Sequence, residues 1–202
     1  FKTHYVSKYN IKSDVVYNFN NIDKKLFHGK RVASKTLVYA GNIGVLQDLE
    51  EIINFYLKIK LVSNLLVKFK IYGEGSLYHK FKKKYHNKDG IFFFGRVNQE
   101  TVTKELEKCR YAIFSLIKGP IRKTIPSRLQ YLYNCNVPLI YIGNGSPKNF
   151  IEKYNAGLVF EDGNDILEFI KKIKTFESKK FETIDVFNKN KILKKISDIL
   201  NT

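Results

Sequence analysis

The residues best placed to do chemistry lie in the stretch Lys118-Gly-Pro-Ile-Arg-Lys-Thr-Ile-Pro-Ser-Arg-Leu-Gln-Tyr-Leu132. An apolar run, residues 111–117, reads as a buried strand before it, and residues 127–134 read as an amphipathic helix within it. A loop bearing Lys118, Arg122 and Lys123 therefore runs from a strand's carboxyl end to a helix amino terminus. Pro126 suits the first turn of that helix, where its missing N–H costs nothing. First-turn N–H groups have no partner inside a helix and carry partial positive charge. With Arg128 one step inside, the stretch suits an anion such as a diphosphate. A solvated basic loop in a very basic protein accounts for the same residues.

The elements around this loop follow from periodicity. Strands are expected at Thr36–Ala40, Leu66–Tyr72, Ile91–Phe94, Tyr111–Ile117, Pro138–Ile142 and Gly157–Phe160. Helices are expected over residues 48–62, 76–85, 98–108, 127–134, 150–154, 165–174 and 189–200, with Ser76 and Asn98 as caps. Residues 66–72 alternate Val67, Phe69 and Ile71 with Lys68 and Lys70, which suggests a strand near a sheet edge or one with a wet face. The run Ile91-Phe-Phe-Phe94 is apolar throughout and reads as a strand covered on both faces. A short strand candidate at Val15–Tyr17 precedes the regular part.

Strand and helix alternate with short connections, which specifies an α/β fold with a doubly wound, mainly parallel six-stranded sheet. Ligands of such sheets bind beyond the strands' carboxyl ends. Four loops are expected on that rim, at 41–44, 73–76, 95–96 and 118–127, with 143–146 as a fifth. Each glycine alone is ordinary turn chemistry; their recurrence after successive strands is the more informative feature. Neither G-x-G-x-x-G nor a Walker lysine motif is present, which argues against a dinucleotide dehydrogenase and a P-loop nucleotidase.

Composition narrows the partners. Lys+Arg outnumber Asp+Glu by 36 to 19, a net charge of +17 in 202 residues, so an anionic partner is expected: phosphorylated small molecule, nucleic acid or anionic membrane surface. The lysines are spread over the helices rather than gathered in one arm, and the aromatics fall inside strands instead of interleaving with surface cations. Nucleic acid is therefore the least favoured of the three. Cys109 and Cys135 lack metal-ligand spacing and read as core residues. His4, His28, His79 and His86 lie in polar stretches away from the rim, and Glu74 is the one acid expected on it. No run reaches a membrane span and no signal peptide is recognisable, so a cytoplasmic location is expected, with peripheral attachment to an anionic inner membrane face as an option. The chain has no Met and begins at Phe1, which suggests a fragment acting with a further domain.

At this point the motifs carry a resemblance. Tyr39-Ala-Gly-Asn-Ile-Gly44 with Gln47-Asp-Leu49, Ile71-Tyr-Gly-Glu-Gly-Ser76, Phe94-Gly-Arg-Val97, Lys123-Thr-Ile-Pro-Ser-Arg128 and Asn155-Ala-Gly-Leu158 resemble, in order and spacing, the C-terminal half of a GT-B glycosyltransferase. The branch is the retaining group 1 enzymes of bacterial polysaccharide and lipopolysaccharide assembly. The resemblance implies a nucleotide-sugar donor domain over residues 36–177, a crossover segment from an absent N-terminal acceptor domain over 1–35, and a linker and helix over 178–202. It places Gly41, Asn42 and Gly44 beside the donor diphosphate, Gly95 and Arg96 near the nucleobase, and Thr124, Ser127 and Arg128 on the phosphates. Gly73, Glu74, Lys118 and Tyr131 complete the expected substrate-binding set, Arg128 and Lys123 stabilise the departing diphosphate, and neither cofactor nor metal is implied. One departure stands out. The family often carries two acids eight apart, the second holding the donor ribose; here those positions are Lys123 and Tyr131. Lysine at the first is common in this branch, but a phenol makes one such bond and no bidentate pair. A degenerate, non-catalytic binding module is accordingly the alternative reading.

Overall fold

The computed structural model describes residues 8–10, 16, 34–176 and 187–200. Apart from Val16, which is in no regular element, the strand candidate at 15–17 lies outside them, as do His4, His28 and the whole 178–183 linker. Six strands form one sheet: β1 (Thr36–Ala40), β2 (Lys68–Tyr72), β3 (Ile91–Gly95), β4 (Tyr111–Ser115), β5 (Leu139–Ile142) and β6 (Gly157–Phe160). Every pairing is parallel, in the order β3-β2-β1-β4-β5-β6. The helices are α1 (Leu49–Val62), α2 (Tyr78–Tyr85), α3 (Gln99–Lys108), α4 (Ser127–Asn134), α5 (Ser146–Lys153), α6 (Ile166–Thr175) and α7 (Lys189–Leu200). None of the described helices is long and apolar enough to cross a membrane.

Alternation within the strands builds two cores. Leu37 and Tyr39 of β1, with Tyr111 and Ile113 of β4, face α1, α2 and α6. Val38, Ala112 and Phe114 face the other way, onto Leu106 of α3, Leu129 and Leu132 of α4 and Phe150 of α5. Burying both faces is why the central strands read as continuous apolar runs. Cys109 and Cys135 are both buried, as core residues.

Several local expectations are corrected. Strand β3, apolar as it is, forms the sheet's edge, and Phe94 is 48% exposed while stacking on Tyr72 at 4.8 Å between ring centroids. The alternating strand β2, by contrast, lies next to that edge as expected, with Lys68 exposed and Lys70 paired to Glu105 of α3 at 2.5 Å. Ser76 does not cap α2, whose N-cap is Leu77, whereas Asn98 does cap α3 by accepting the Thr101 N–H at 2.9 Å. Pro126 sits at the N-cap of α4 rather than in its first turn, and α5 begins four residues earlier than expected, at Ser146. His86 is structural: its Nδ1 accepts the Phe93 N–H at 3.0 Å.

Arg122 is the largest local departure. Instead of facing solvent it is 9% exposed, with Nε donating to the Leu116 carbonyl at 2.9 Å and Nη1 to Asn144 Oδ1 at 3.4 Å. The 143–146 loop is shaped around it, since a Cβ on Gly145 would come within 2.3 Å of the Arg122 carbonyl oxygen. Truncating it leaves that loop without its anchor. Arg122→Ala is expected to cost roughly 1.5–3 kcal/mol, the worth of charged hydrogen bonds in a buried setting. Urea unfolding checks this, and a loss comparable to an ordinary surface lysine would show that the side chain is solvated instead.

Candidate functional site

Between β1 and β4 the chain changes direction across the sheet. From β1 it winds through α1 to β2 on one side; from β4 it winds through α4 to β5 on the other. The two outgoing loops part there, and a crevice opens at the strands' carboxyl ends. A cavity of about 920 Å³ occupies it.

Its floor is backbone. The Gly41 N–H donates to the Tyr72 carbonyl at 2.9 Å, Ile43 to Glu74 at 2.7 Å and Gly73 to Gly95 at 2.7 Å, so sheet-like pairing continues past the strands into the loops. This closeness requires glycine at Gly73, where φ is +131° and a Cβ would lie 1.8 Å from the Gly41 carbonyl oxygen. Gly41, at φ +147°, is covered from above: its Cβ would fall 1.8 Å from Arg128 Nη2.

Arg128 is thus laid flat over the β1 loop. Its guanidinium carbon stands 4.4 Å from the Tyr39 ring centroid, and Nη2 donates to the Asn42 carbonyl at 3.3 Å. The Tyr39 hydroxyl donates to the same carbonyl. Burial raises the Tyr39 phenol pKa, against the pull of Arg128, so the ring remains a neutral platform beneath the cation. A guanidinium carries five N–H donors and this arrangement leaves several for a ligand. Pro126, Ser127 and Arg128 border the cavity, and α4 starts there with no side-chain cap over its first turn. Fixed cation and open helix terminus converge on one place, which can hold an anion and spread its charge.

The structure brings together on the cavity wall Gly41, Asn42, Gly73, Glu74, Arg96, Ser127, Arg128 and Tyr131. It does not bring the rest of the expected set there. Gly44 and Gly95 shape the neighbouring loops, the first giving its N–H to Gln47 Oε1 at 3.2 Å and the second turning at φ +72°. Lys118 is exposed and pairs with Asp162 at 2.6 Å, holding the Asp162 carboxyl below its ordinary pKa. Lys123 is exposed outside the lining, and its carbonyl accepts the Ser146 hydroxyl at 2.9 Å. The Thr124 hydroxyl donates back to the Ile121 carbonyl at 2.7 Å. Glu74 is the one acid on the wall, but Glu161 and Asp162 also follow a strand, β6, so the rim as a whole is less poor in carboxylates than expected.

Other wall residues were not singled out by sequence: Gln99 and Val102 of α3, Gln130 of α4, and Ser115 at the end of β4. Their only sequence signal is position, at a strand's end or in the opening turns of the next helix. Tyr131 faces α3, its hydroxyl 3.2 Å from Thr103 Oγ1. Burial pushes its pKa up to about 12, so the phenol stays protonated.

A doubly wound parallel sheet with a cavity at its switch point defines a Rossmann-like domain, here of the GT-B type. The chain belongs to the family of glycosyl transferases group 1, whose profile matches residues 21–194. No curated protein is significantly similar in sequence. Among solved structures, a variant of S. aureus TarM in complex with fondaparinux, alpha-GlcNAc-glycerol and UDP superposes with a TM-score of 0.74 at 19% identity, covering 100% of this chain and 42% of its own. WaaG, a glycosyltransferase involved in lipopolysaccharide biosynthesis, gives 0.69 at 13% identity, covering 98% of this chain and 59% of its own. Anabaena HepE in complex with UDP gives 0.61 at 12% identity, with 92% and 57% covered. At these identities the likeness is one of fold, and the chain spans 42% to 59% of these neighbours' lengths.

Proposed function

We propose that this domain binds the nucleotide-sugar donor of a glycosyltransferase that extends a surface polysaccharide or lipid-linked glycan. The observation that carries the reading is Arg128, held over Gly41 at the open amino terminus of α4 inside the switch-point cavity. A diphosphate there meets a preorganised cation and first-turn N–H groups. The volume suits a nucleoside diphosphate with its sugar. Neighbours of the same fold have structures in complex with UDP, among them TarM and HepE.

Sugar transfer with retention demands above all that the leaving diphosphate be stabilised as its bond to the sugar breaks. Arg128 and the α4 terminus supply that, so the reading needs no metal ion. The acceptor, with any further catalytic group, belongs to a second domain, for which the greater length of the neighbours leaves room. Tyr131, where an acid would grip the ribose, favours a second reading: a domain that binds the donor without turning it over.

Calorimetric titration tests the reading. UDP is expected to bind in the micromolar to millimolar range and uridine much more weakly, with EDTA changing neither. The chain alone is expected to transfer no sugar. Equal affinities for UDP and uridine would remove the diphosphate site, and turnover by the chain alone would remove the need for a second domain.

A further inference from the structure

A one-sided concentration of charge lies outside the cavity, on α2 and the turn after it. Residues 79–88 carry five lysines, Lys80, Lys82, Lys83, Lys84 and Lys88, and no acid. Each other described helix except α4 mixes at least one acid with its cations.

The helix turns these lysines outward. At 3.6 residues per turn Tyr78, Phe81 and Tyr85 share one face, and His79, Lys80, Lys83 and Lys84 share the opposite one. Tyr78 and Phe81 are buried in one core with Ile91 and Phe93 of β3, Tyr78 meeting Phe93 edge-on at 6.1 Å between ring centroids. All five lysines are exposed. Because β3 is the edge of the sheet, α2 forms a flank of the domain.

Like charges set along a helix about 12 Å long repel one another and call for counter-charge. Lys84 finds Glu50 at 3.2 Å, in a pair exposed on both sides. Among the described residues, Lys80, Lys82, Lys83 and Lys88 meet no carboxylate. Asp89 is the acid that ends the run.

Two features bear on which anion fits. The cations are all lysines, point charges on flexible stems, without the planar fork by which arginine grips a single phosphate. The rings of Tyr78 and Phe81 are buried, with Lys82 and Lys80 standing 5.4 and 5.8 Å from their centroids. Neither ring is open for a nucleic-acid base to stack on. Diffuse positive charge of this kind suits a fluid array of phosphate headgroups.

We propose that α2 is a docking surface for an anionic phospholipid bilayer, whose headgroups supply the counter-charge the chain does not. Adsorption is electrostatic and shallow, because the exposed positions from His79 to Lys88 include no apolar side chain to enter the hydrocarbon. Docking and donor binding are separable, since none of these lysines lies on the cavity wall.

Co-sedimentation of the chain with vesicles tests it. Vesicles of phosphatidylglycerol and phosphatidylcholine in equal parts are expected to bind the chain, and vesicles of phosphatidylcholine alone are not. Raising salt from about 0.1 to about 1 M shortens the screening length from about 10 to about 3 Å and is expected to release the chain. A lysine near the surface is worth about fivefold in partition. The triple variant Lys80→Gln, Lys83→Gln, Lys88→Gln is therefore expected to bind the mixed vesicles about a hundredfold more weakly. Its melting temperature and its affinity for UDP should stay near the parent's; if UDP does not bind the parent at all, the docking surface is untouched. The control, Lys104→Gln, Lys108→Gln, Lys153→Gln, removes the same charge from exposed positions on α3 and α5, across the sheet. It is expected to lose no more than about threefold, because screening confines the attraction to charges near the bilayer. Equal losses in the two triple variants would assign the attraction to overall charge and overturn the proposal, as would equal binding to the two kinds of vesicle. A loss of affinity for a single-stranded oligonucleotide, but not for the mixed vesicles, in the α2 variant would also overturn it and make the surface one for nucleic acid.

Discussion

Arg128→Ala is expected to weaken UDP binding about ten- to hundredfold. The lost interaction is a charge-assisted hydrogen bond worth roughly 1.5–3 kcal/mol, at ~1.4 kcal/mol for each decade of affinity. Uridine, with no phosphate to lose, is expected to bind the variant almost as it binds the parent. Lys171→Ala, an exposed change on α6 that removes the same charge, is the control for the general positive field. Its cost should be small and should vanish with added salt. Stability is expected to fall by no more than about 1 kcal/mol, since Arg128 gives up one backbone hydrogen bond and its place over the Tyr39 ring. Equal losses of UDP affinity in the two variants would assign the binding to diffuse charge and leave no site at Arg128.

The second large effect is structural. Gly73→Ala is expected to destabilise the domain by roughly 2–4 kcal/mol, because the new methyl meets backbone that has nowhere to go. In a domain of this size that lowers the melting temperature by about 5–15 °C. Gly119 provides a matched control: its φ is also +131°, yet a Cβ there meets nothing within 4 Å. Gly119→Ala should therefore register backbone strain alone, about 1 kcal/mol. If the two alanines cost the same, the close approach of the β1 and β2 loops contributes nothing beyond the unfavourable dihedral angle.

Most of the architecture was legible in the sequence. Strict alternation of apolar runs with 3.6-periodic segments located all six strands and the helices between them, and α7 falls at residues 189–200 as expected. What periodicity cannot encode is the order of strands in the sheet. Phe92 and Phe94 made β3 resemble a central strand, yet the winding places it at the edge, where Phe94 covers itself by stacking on Tyr72. At the candidate site, the glycine loops and the α4 terminus could be located from strand-to-helix transitions. Side-chain direction could not. Lys118, Arg122, Lys123 and Arg128 look alike in sequence, but only Arg128 stands on a helix aimed across the cavity. Arg122 turns inward to backbone carbonyl, Lys118 outward to Asp162, and each choice was decided by partners far along the chain. Gln99 and Gln130 of the wall carried no chemical signal that separates them from surface glutamines.

The pairing of β1 with β4 has a consequence for how the domain comes into being. It joins Leu37 to Tyr111 and Val38 to Ala112, whereas β2 joins β1, and β3 joins β2, through single intervening helices. The three strands on one side of the junction can associate during synthesis while the later half is still being made. Their loops then already stack glycine on glycine. The junction with β4 must close a long stretch of chain, which carries the greater entropic cost and the slower rate. Arg128 reaches Gly41 only once that closure has occurred. Competence to hold an anion therefore arises late, when the two halves of the sheet meet, and a chain arrested with half its sheet formed has the floor of the cavity but no cation above it.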